Sequence, residues 1–333
     1  MSRSARRLAV MIAVAGAAGV AAVAADPKVR QAAGGLVRFM RPLARGAARP
    51  PVPPPLPPGR VVELPDRGEV FVRDSGGRPA DPVVLLLHGW TASADLNFFP
   101  AYGGLAESYR VIALDHRGHG RGMRSTEPFS LEDCADDAAA LLHQLGVEHV
   151  IVVGYSMGGP IALLMARRHP GLVTALVMQA TALELRRTAR ERLLWHLLSV
   201  FELGLRLATS AGFVERILRQ AIEERPELDV HRPWLAAEFR RGLPRELADA
   251  GHALGRYEAE PWVAELDVPA VMLITTRDRL VPPHKQRELA AALRAHVVEI
   301  EADHDLPLVE GEKYSRLTRL AVDTAAAQRK TAV

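Results

Sequence analysis

Cysteine is all but missing from this chain: the 333 residues contain one, Cys134. A lone thiol excludes an intrachain disulfide and says nothing about redox compartment, and its place in a predicted helix makes it structural rather than reactive. Acid is all but missing from the first 60 residues, where Asp26 alone stands against ten Lys and Arg. The rest carries 32 basic and 38 acidic residues, so the formal net charge of +3 belongs to the leader and the globular part is mildly acidic. That balance removes any reason to expect a nucleic-acid surface. Metal-ligand sets are missing as well. His116 and His119 are close in sequence, but no Cys/His set or carboxylate-rich helix completes a coordination sphere, and no metal is expected.

Charge is also lacking from Leu8 to Ala25, a run of 18 residues that follows Arg3, Arg6 and Arg7. As a helix it would span about 27 Å, just short of a hydrocarbon core. A cleaved signal peptide and a single membrane anchor both fit: Ala22-Val23-Ala24 has the small-x-small pattern of a cleavage site, while the length suits an anchor. Behind it, Leu36, Phe39, Met40 and Leu43 recur at helical spacing among Arg38, Arg41 and Arg45, as in a basic helix lying on an anionic membrane surface. Positive charge on both flanks leaves the orientation open. Membrane association or export is therefore expected. Pro50 to Pro58 then reads as a stiff polyproline spacer holding the following domain away from whatever the leader binds.

The chain beyond is organised around Val150-Ile151-Val152-Val153-Gly154-Tyr155-Ser156-Met157-Gly158-Gly159. A β-branched run ends in Gly-x-Ser-x-Gly, and a helical apolar pattern starts at once. This is the context in which a serine is presented on a sharp strand-to-helix turn, with small neighbours allowing close backbone approach. The new helix directs its N-terminal N–H groups at negative charge developing there. Ser156 is the candidate nucleophile. Pro82 to Trp90 is a continuous apolar run of the kind buried on both faces of a parallel sheet, ending in His88-Gly89-Trp90. The N–H groups of Trp90 and Met157 are the candidate oxyanion donors. His88 comes too early in the chain for the base and is expected to be structural.

Arg110 to Leu114 is another buried strand, followed by Asp115-His116-Arg117-Gly118-His119-Gly120, where Asp115 and Arg117 are expected to pair and fix the turn. Ser130 starts a helix that runs to Leu145, with Asp133 three residues on. After the strand Ala175 to Ala180, strand-like runs disappear from Leu183 to Tyr257. That stretch predicts an inserted helical cap, whose Trp195, Phe201, Phe213, Trp234 and Phe239 are mostly its own core with one or two free to touch substrate. Strands resume at Pro269 to Thr276, and Asp278 follows just past the carboxyl end, where catalytic groups of open parallel sheets gather. The last strand, Val297 to Glu301, precedes Ala302-Asp303-His304. Ser156, Asp278 and His304 thus each follow their own strand, in the order nucleophile, acid, histidine.

With His88-Gly89-Trp90, Asp115-x-Arg117-Gly118-x-Gly120, Gly154-x-Ser156-Met157-Gly158-Gly159, Asp278 and His304 in place, residues 60–325 resemble the α/β-hydrolase superfamily, in its capped esterase, peroxidase-like and carbon–carbon-hydrolase branch. The resemblance implies a mostly parallel eight-stranded sheet flanked by helices, with a core of residues 60–182 and 258–333 and a cap of residues 183–257. Residues 1–25 would then be the signal or anchor and 26–59 the basic, Pro-rich linker. The superfamily usually has Gly before the histidine, where this chain has Asp303, a change expected to alter the loop or raise the imidazole pKa. Ser rather than Asp at 156 disfavours dehalogenase or epoxide-hydrolase chemistry.

The expected activity is hydrolysis of a carboxylic ester, of an apolar or lipid-like kind, through an acyl-enzyme on Ser156, with His304 as base and Asp278 orienting it. No cofactor is needed. Carbon–carbon hydrolysis and perhydrolysis use the same residues, and a catalytically silent ligand-binding member is the rival from another class. Glu184, after the preceding strand, is the alternative acid.

Overall fold

The computed structural model describes residues 51–78, 81–186 and 226–331. The leader's apolar run and basic stretch lie outside these residues, as do Trp195, Phe201 and Phe213. Among the described residues no helix is long and apolar enough to cross a membrane.

In chain order the elements are β1 (Gly59–Leu64), β2 (Gly68–Asp74), β3 (Val83–Leu87), α1 (Ala94–Phe98), α2 (Tyr102–Ala106), β4 (Arg110–Leu114), α3 (Leu131–Gln144), β5 (Val150–Tyr155), α4 (Gly158–Arg168) and β6 (Val173–Gln179). After the insertion's first described turn, Pro226–His231, come α5 (Arg232–Phe239), α6 (Pro244–Arg256), β7 (Ala270–Thr275), α7 (Pro283–Ala292), β8 (His296–Ile300), α8 (Leu306–Val309) and α9 (Gly311–Thr331). The strands form one eight-stranded sheet in the order β1-β2-β4-β3-β5-β6-β7-β8. Pairing is antiparallel for β1 with β2 and β2 with β4, and parallel from β4 onward. This is the α/β-hydrolase fold.

Hydrophobicity and position agree. β5 and β7 are buried at every residue, as a central parallel strand covered on both faces must be, whereas the edge strands β1 and β8 are largely exposed. Because side chains alternate across a strand, each inner strand feeds two cores. Leu85 and Leu87 of β3 join Leu141 and Leu142 of α3 and Ile161 and Met165 of α4 on one side. Val84 and Leu86 join Phe98, Tyr102, Leu105 and Tyr314 on the other. Cys134 is fully buried in α3, and burial pushes its thiol well above the usual range. Ser130 caps α3, its Oγ accepting from the Asp133 N–H at 3.1 Å.

Two local expectations are corrected. Asp115 and Arg117 do not pair. Asp115 is buried and its carboxylate accepts from the Ala94 N–H at 2.8 Å, the Arg121 N–H at 2.7 Å and Arg121 Nε at 3.0 Å. Arg117 reaches instead across to α3, where its fork meets both oxygens of Asp137 at 2.8 Å. Each group takes the partner that satisfies more of its hydrogen-bonding capacity. Nor does the described proline segment stand off as a free spacer. The Pro57 carbonyl accepts from Arg73 at 3.0 Å, the Val52 carbonyl is 2.9 Å from His231 Nδ1, and Leu56 packs on the body. A polyproline chain has no internal hydrogen bonds, so its carbonyls are free to take donors from the surface it crosses.

Strand order reverses between β3 and β5, with β4 and β6 lying outward on opposite sides. In open parallel sheets such a switch point opens a crevice beyond the carboxyl ends of the strands, where ligands bind. The loops after β3, β5, β7 and β8 all reach that end.

Candidate active site

Ser156 follows β5 directly and sits at φ 52°, in the left-handed region that L-residues avoid. Its N–H donates to the Gln179 carbonyl at 2.9 Å, and its carbonyl accepts from the Gly159 N–H at 2.9 Å as α4 begins. The turn tolerates no side chain at Gly154, where a Cβ would stand 2.5 Å from the Gly158 carbonyl oxygen. Holding a serine in this strained backbone presents its Oγ above the sheet.

The three candidate residues, contributed by three separate loops, come together. His304 Nε2 lies 3.1 Å from Ser156 Oγ, and His304 Nδ1 lies 2.8 Å from Asp278 Oδ2. A carboxylate only accepts, so Nδ1 carries the proton and Nε2 is left to accept from the serine hydroxyl. The Asp278 side chain is wholly buried while the imidazole is partly open. Asp278 is fixed by further donors: Thr275 Oγ1 at 2.8 Å and Gln286 Nε2 at 3.2 Å on Oδ2, with the Leu280 and Val281 N–H groups at 2.9 and 2.8 Å on Oδ1.

Sequence reasoning missed the residues that orient this set. Gln286, fully buried on α7, also accepts from the Thr275 N–H at 3.1 Å and donates to the Val281 carbonyl at 2.8 Å. Tyr155, the residue before the serine, donates its hydroxyl to the His304 carbonyl at 2.7 Å and packs edge-on to the imidazole, ring centres 5.6 Å apart. Burial, with Tyr314 and nearby acids, pushes this phenol well above its usual range, so it remains a donor. Tyr155 had a usable signal, its fixed place inside Gly-x-Ser-x-Gly; Gln286 had none.

The Asp303 carboxylate is engaged by backbone N–H groups. Oδ1 accepts from the His304 N–H at 2.8 Å and the Arg279 N–H at 3.2 Å, tying the loop after β8 to the loop after β7. Glu184 is engaged elsewhere, accepting from Lys285 Nζ at 3.1 Å and the Arg186 N–H at 2.7 Å. His88 lies buried beneath the loop, Nε2 accepting from the His116 N–H at 3.0 Å and Nδ1 facing the Gly89 carbonyl at 2.8 Å. Burial holds it below the usual histidine range. Among the described residues no group of three or more His, Cys, Asp or Glu side chains is arranged so that it could hold a metal ion.

Of the candidate oxyanion donors, Met157 is buried and is the N-cap residue of α4, and Trp90 follows Gly89, which abuts Ser156: a Cβ there would lie 3.2 Å from Ser156 Cβ. The Gly89 N–H is held by Asn97 Oδ1 at 2.9 Å. In the insertion, Trp234 packs edge-on to Phe99 with ring centres 6.1 Å apart, and Phe239 joins the same small cluster.

Residues 82–310 match the family model described as the alpha/beta hydrolase fold. The chain belongs to the α/β-hydrolase family. As one of its hydrolases it is 26% identical over 245 residues to an AB hydrolase superfamily protein of Bacillus subtilis, a match covering 71% of this chain and 88% of the relative. It is 37% identical over 114 residues to a bifunctional esterase/perhydrolase of Acinetobacter calcoaceticus, across 33% of this chain and 39% of that one. Among solved structures, an esterase from Exiguobacterium antarcticum superposes with a TM-score of 0.68 at 20% identity, covering 80% of this chain and 99% of its own, a likeness of fold.

Proposed function

We propose that this hydrolase cleaves a carboxylic ester through an acyl-enzyme on Ser156. The observation that carries the reading is the continuous contact from Asp278 through His304 to Ser156. A serine hydroxyl is a weak nucleophile at neutral pH and needs a positioned base. His304 Nε2 takes its proton as Oγ attacks the ester carbonyl, then delivers it to the departing alkoxide. Asp278 holds the tautomer and stabilises the imidazolium. The N–H groups of Trp90 and Met157 bind the oxyanion, each worth about 3–4 kcal/mol by analogy with other acyl-transfer enzymes. Water activated by the same imidazole then releases the acid.

On this reading the insertion of residues 183–257 would serve as a cap over the core of residues 60–182 and 258–333, and the substrate would be apolar. The relative named as an esterase/perhydrolase supports a second reading, in which hydrogen peroxide replaces water in attacking the acyl-enzyme and a peracid leaves. Carbon–carbon hydrolysis would use the same side chains.

Intact mass after incubation with a fluorophosphonate tests the reading. One adduct is expected on the parent and none on Ser156→Ala. A folded parent that takes no label overturns catalysis and leaves a silent binding protein. p-Nitrophenyl esters from acetate to palmitate, with and without hydrogen peroxide, then size the acyl site and separate hydrolysis from perhydrolysis.

A further inference from the structure

The loop after β3 is strained and is held from above. Thr91 sits at φ 65°. A β-branched residue in that region is an outlier that persists only where its surroundings enforce it. Two contacts from the insertion flank Thr91. On one side Trp90 Nε1 donates to the Leu247 carbonyl of α6 at 2.7 Å. On the other Ser93 Oγ donates to Glu238 Oε2 of α5 at 2.9 Å, while also capping α1 through the Leu96 N–H.

The indole is also seated sterically. A Cβ on Gly251 of α6 would fall 2.8 Å from Trp90 Cζ2 and 3.3 Å from Cε2. Glycine inside a helix is less favourable than alanine, and the indole accounts for it here.

We propose that α5 and α6 are a positioning clasp on this loop, keeping the Trp90 N–H aimed at the oxyanion site beside Ser156. The proposal rests on Trp90 as an oxyanion donor in the function above. Trp90 thus has two roles, a backbone donor to the reaction and a side-chain tether to the insertion. Gly251, Leu247 and Glu238 act only through the loop.

The test uses the full chain and a p-nitrophenyl ester. Trp90→Phe removes the indole N–H and keeps the backbone donor; Gly251→Ala forces the ring off α6. Each is expected to lower kcat about 10- to 100-fold with KM within about twofold, and to weaken an arylboronic acid, which mimics the tetrahedral adduct, in proportion to kcat/KM. The pH midpoint of kcat/KM should not move, since the imidazole is untouched. Because a phenyl ring is too short to reach Gly251, Gly251→Ala should cost less in the Trp90→Phe background than in the parent. Thr91→Gly, which adopts the left-handed backbone freely, should restore several-fold of the rate lost in Trp90→Phe.

Variants that keep kcat, or that lose activity through KM or melting temperature alone, overturn the clasp. So does Thr91→Gly failing to rescue. If Gly251→Ala does not fold, Trp90→Phe and its rescue decide the matter. A folded parent unlabelled by fluorophosphonate overturns the catalytic reading and the clasp with it; a labelled parent with indifferent variants overturns the clasp alone.

Discussion

Asp278 is held by two side-chain and two backbone donors besides the imidazole. Replacing it by Asn keeps the shape but offers Nδ1 an N–H in place of an acceptor, forcing the wrong tautomer. Asp278→Asn should lower kcat by about 10⁴-fold, read on a p-nitrophenyl ester. Glu184→Gln, by contrast, should leave kcat within about twofold while lowering stability, because it breaks a buried pair with Lys285; a comparable loss of kcat would make Glu184 the acid. Gln286→Leu removes one donor from Asp278 and one acceptor from the Thr275 N–H. An unmet buried group costs about 1–3 kcal/mol, so kcat should fall about tenfold with KM unchanged and the melting temperature should drop. That Ser156, Asp278 and His304 would meet was legible because each follows a strand in a recognisable order. Gln286 was not, since what matters about it is a fold-dependent approach of α7 to the end of β7, and an isolated glutamine in a helical pattern looks like any solvated one.

Short elements carry consequences of their own, the turn after β4 above all. His116 and His119 are buried there against His88 of the loop after β3, whose ring centre lies 4.3 and 5.5 Å from theirs. Burial, then the neighbouring imidazole His88, pushes His119 down to about 3 and holds His116 well below its usual range. An unfolded histidine titrates near 6.5. Between those values the unfolded chain binds protons that the folded one refuses, so this stability is complete above about pH 6.5 and drains away as the pH falls below it. Melting temperature should therefore decline on acidification, and His119→Asn, which preserves a donor towards the Arg117 carbonyl but does not titrate, should flatten the decline. An unchanged slope would assign the acid lability to carboxylates. At this scale the strands and the cap on α3 could be read from periodicity and Ser130. The proline segment could not: composition gives its stiffness, whereas its docking depends on Arg73 and His231 arriving from elsewhere.

Taken whole, the molecule joins its sheet to its insertion through buried charge. Arg121 lies 3.0 Å from Asp115, 2.9 Å from Asp95 and 3.5 Å from Glu238 of α5, and its guanidinium stacks 4.0 Å over Phe71. None of these carboxylates is exposed. Hydrophobic pattern located the sheet and its two cores, since both follow from the period of a strand. It could not locate this junction, whose members come from four separate stretches of chain and look, one at a time, like surface charges. Burial works against ionisation of Asp115, and Arg121, first among the groups that oppose it, holds the carboxyl below its usual range. Arg121→Met strips that support and leaves buried carboxylates against an apolar chain, at a cost of about 3–5 kcal/mol near neutral pH. In the parent the contribution of Asp115 is present above the ordinary carboxylate pKa and fades as the pH falls through the folded one. In the variant the sign reverses: with burial no longer offset by Arg121, the carboxyl takes up protons more readily folded than unfolded, so acid relieves the defect. Urea unfolding should show a gap between parent and variant that is wide at about pH 7 and narrower at about pH 5. A gap of equal width at both would mean that Arg121 serves by packing on Phe71 and that the junction between sheet and insertion is not electrostatic.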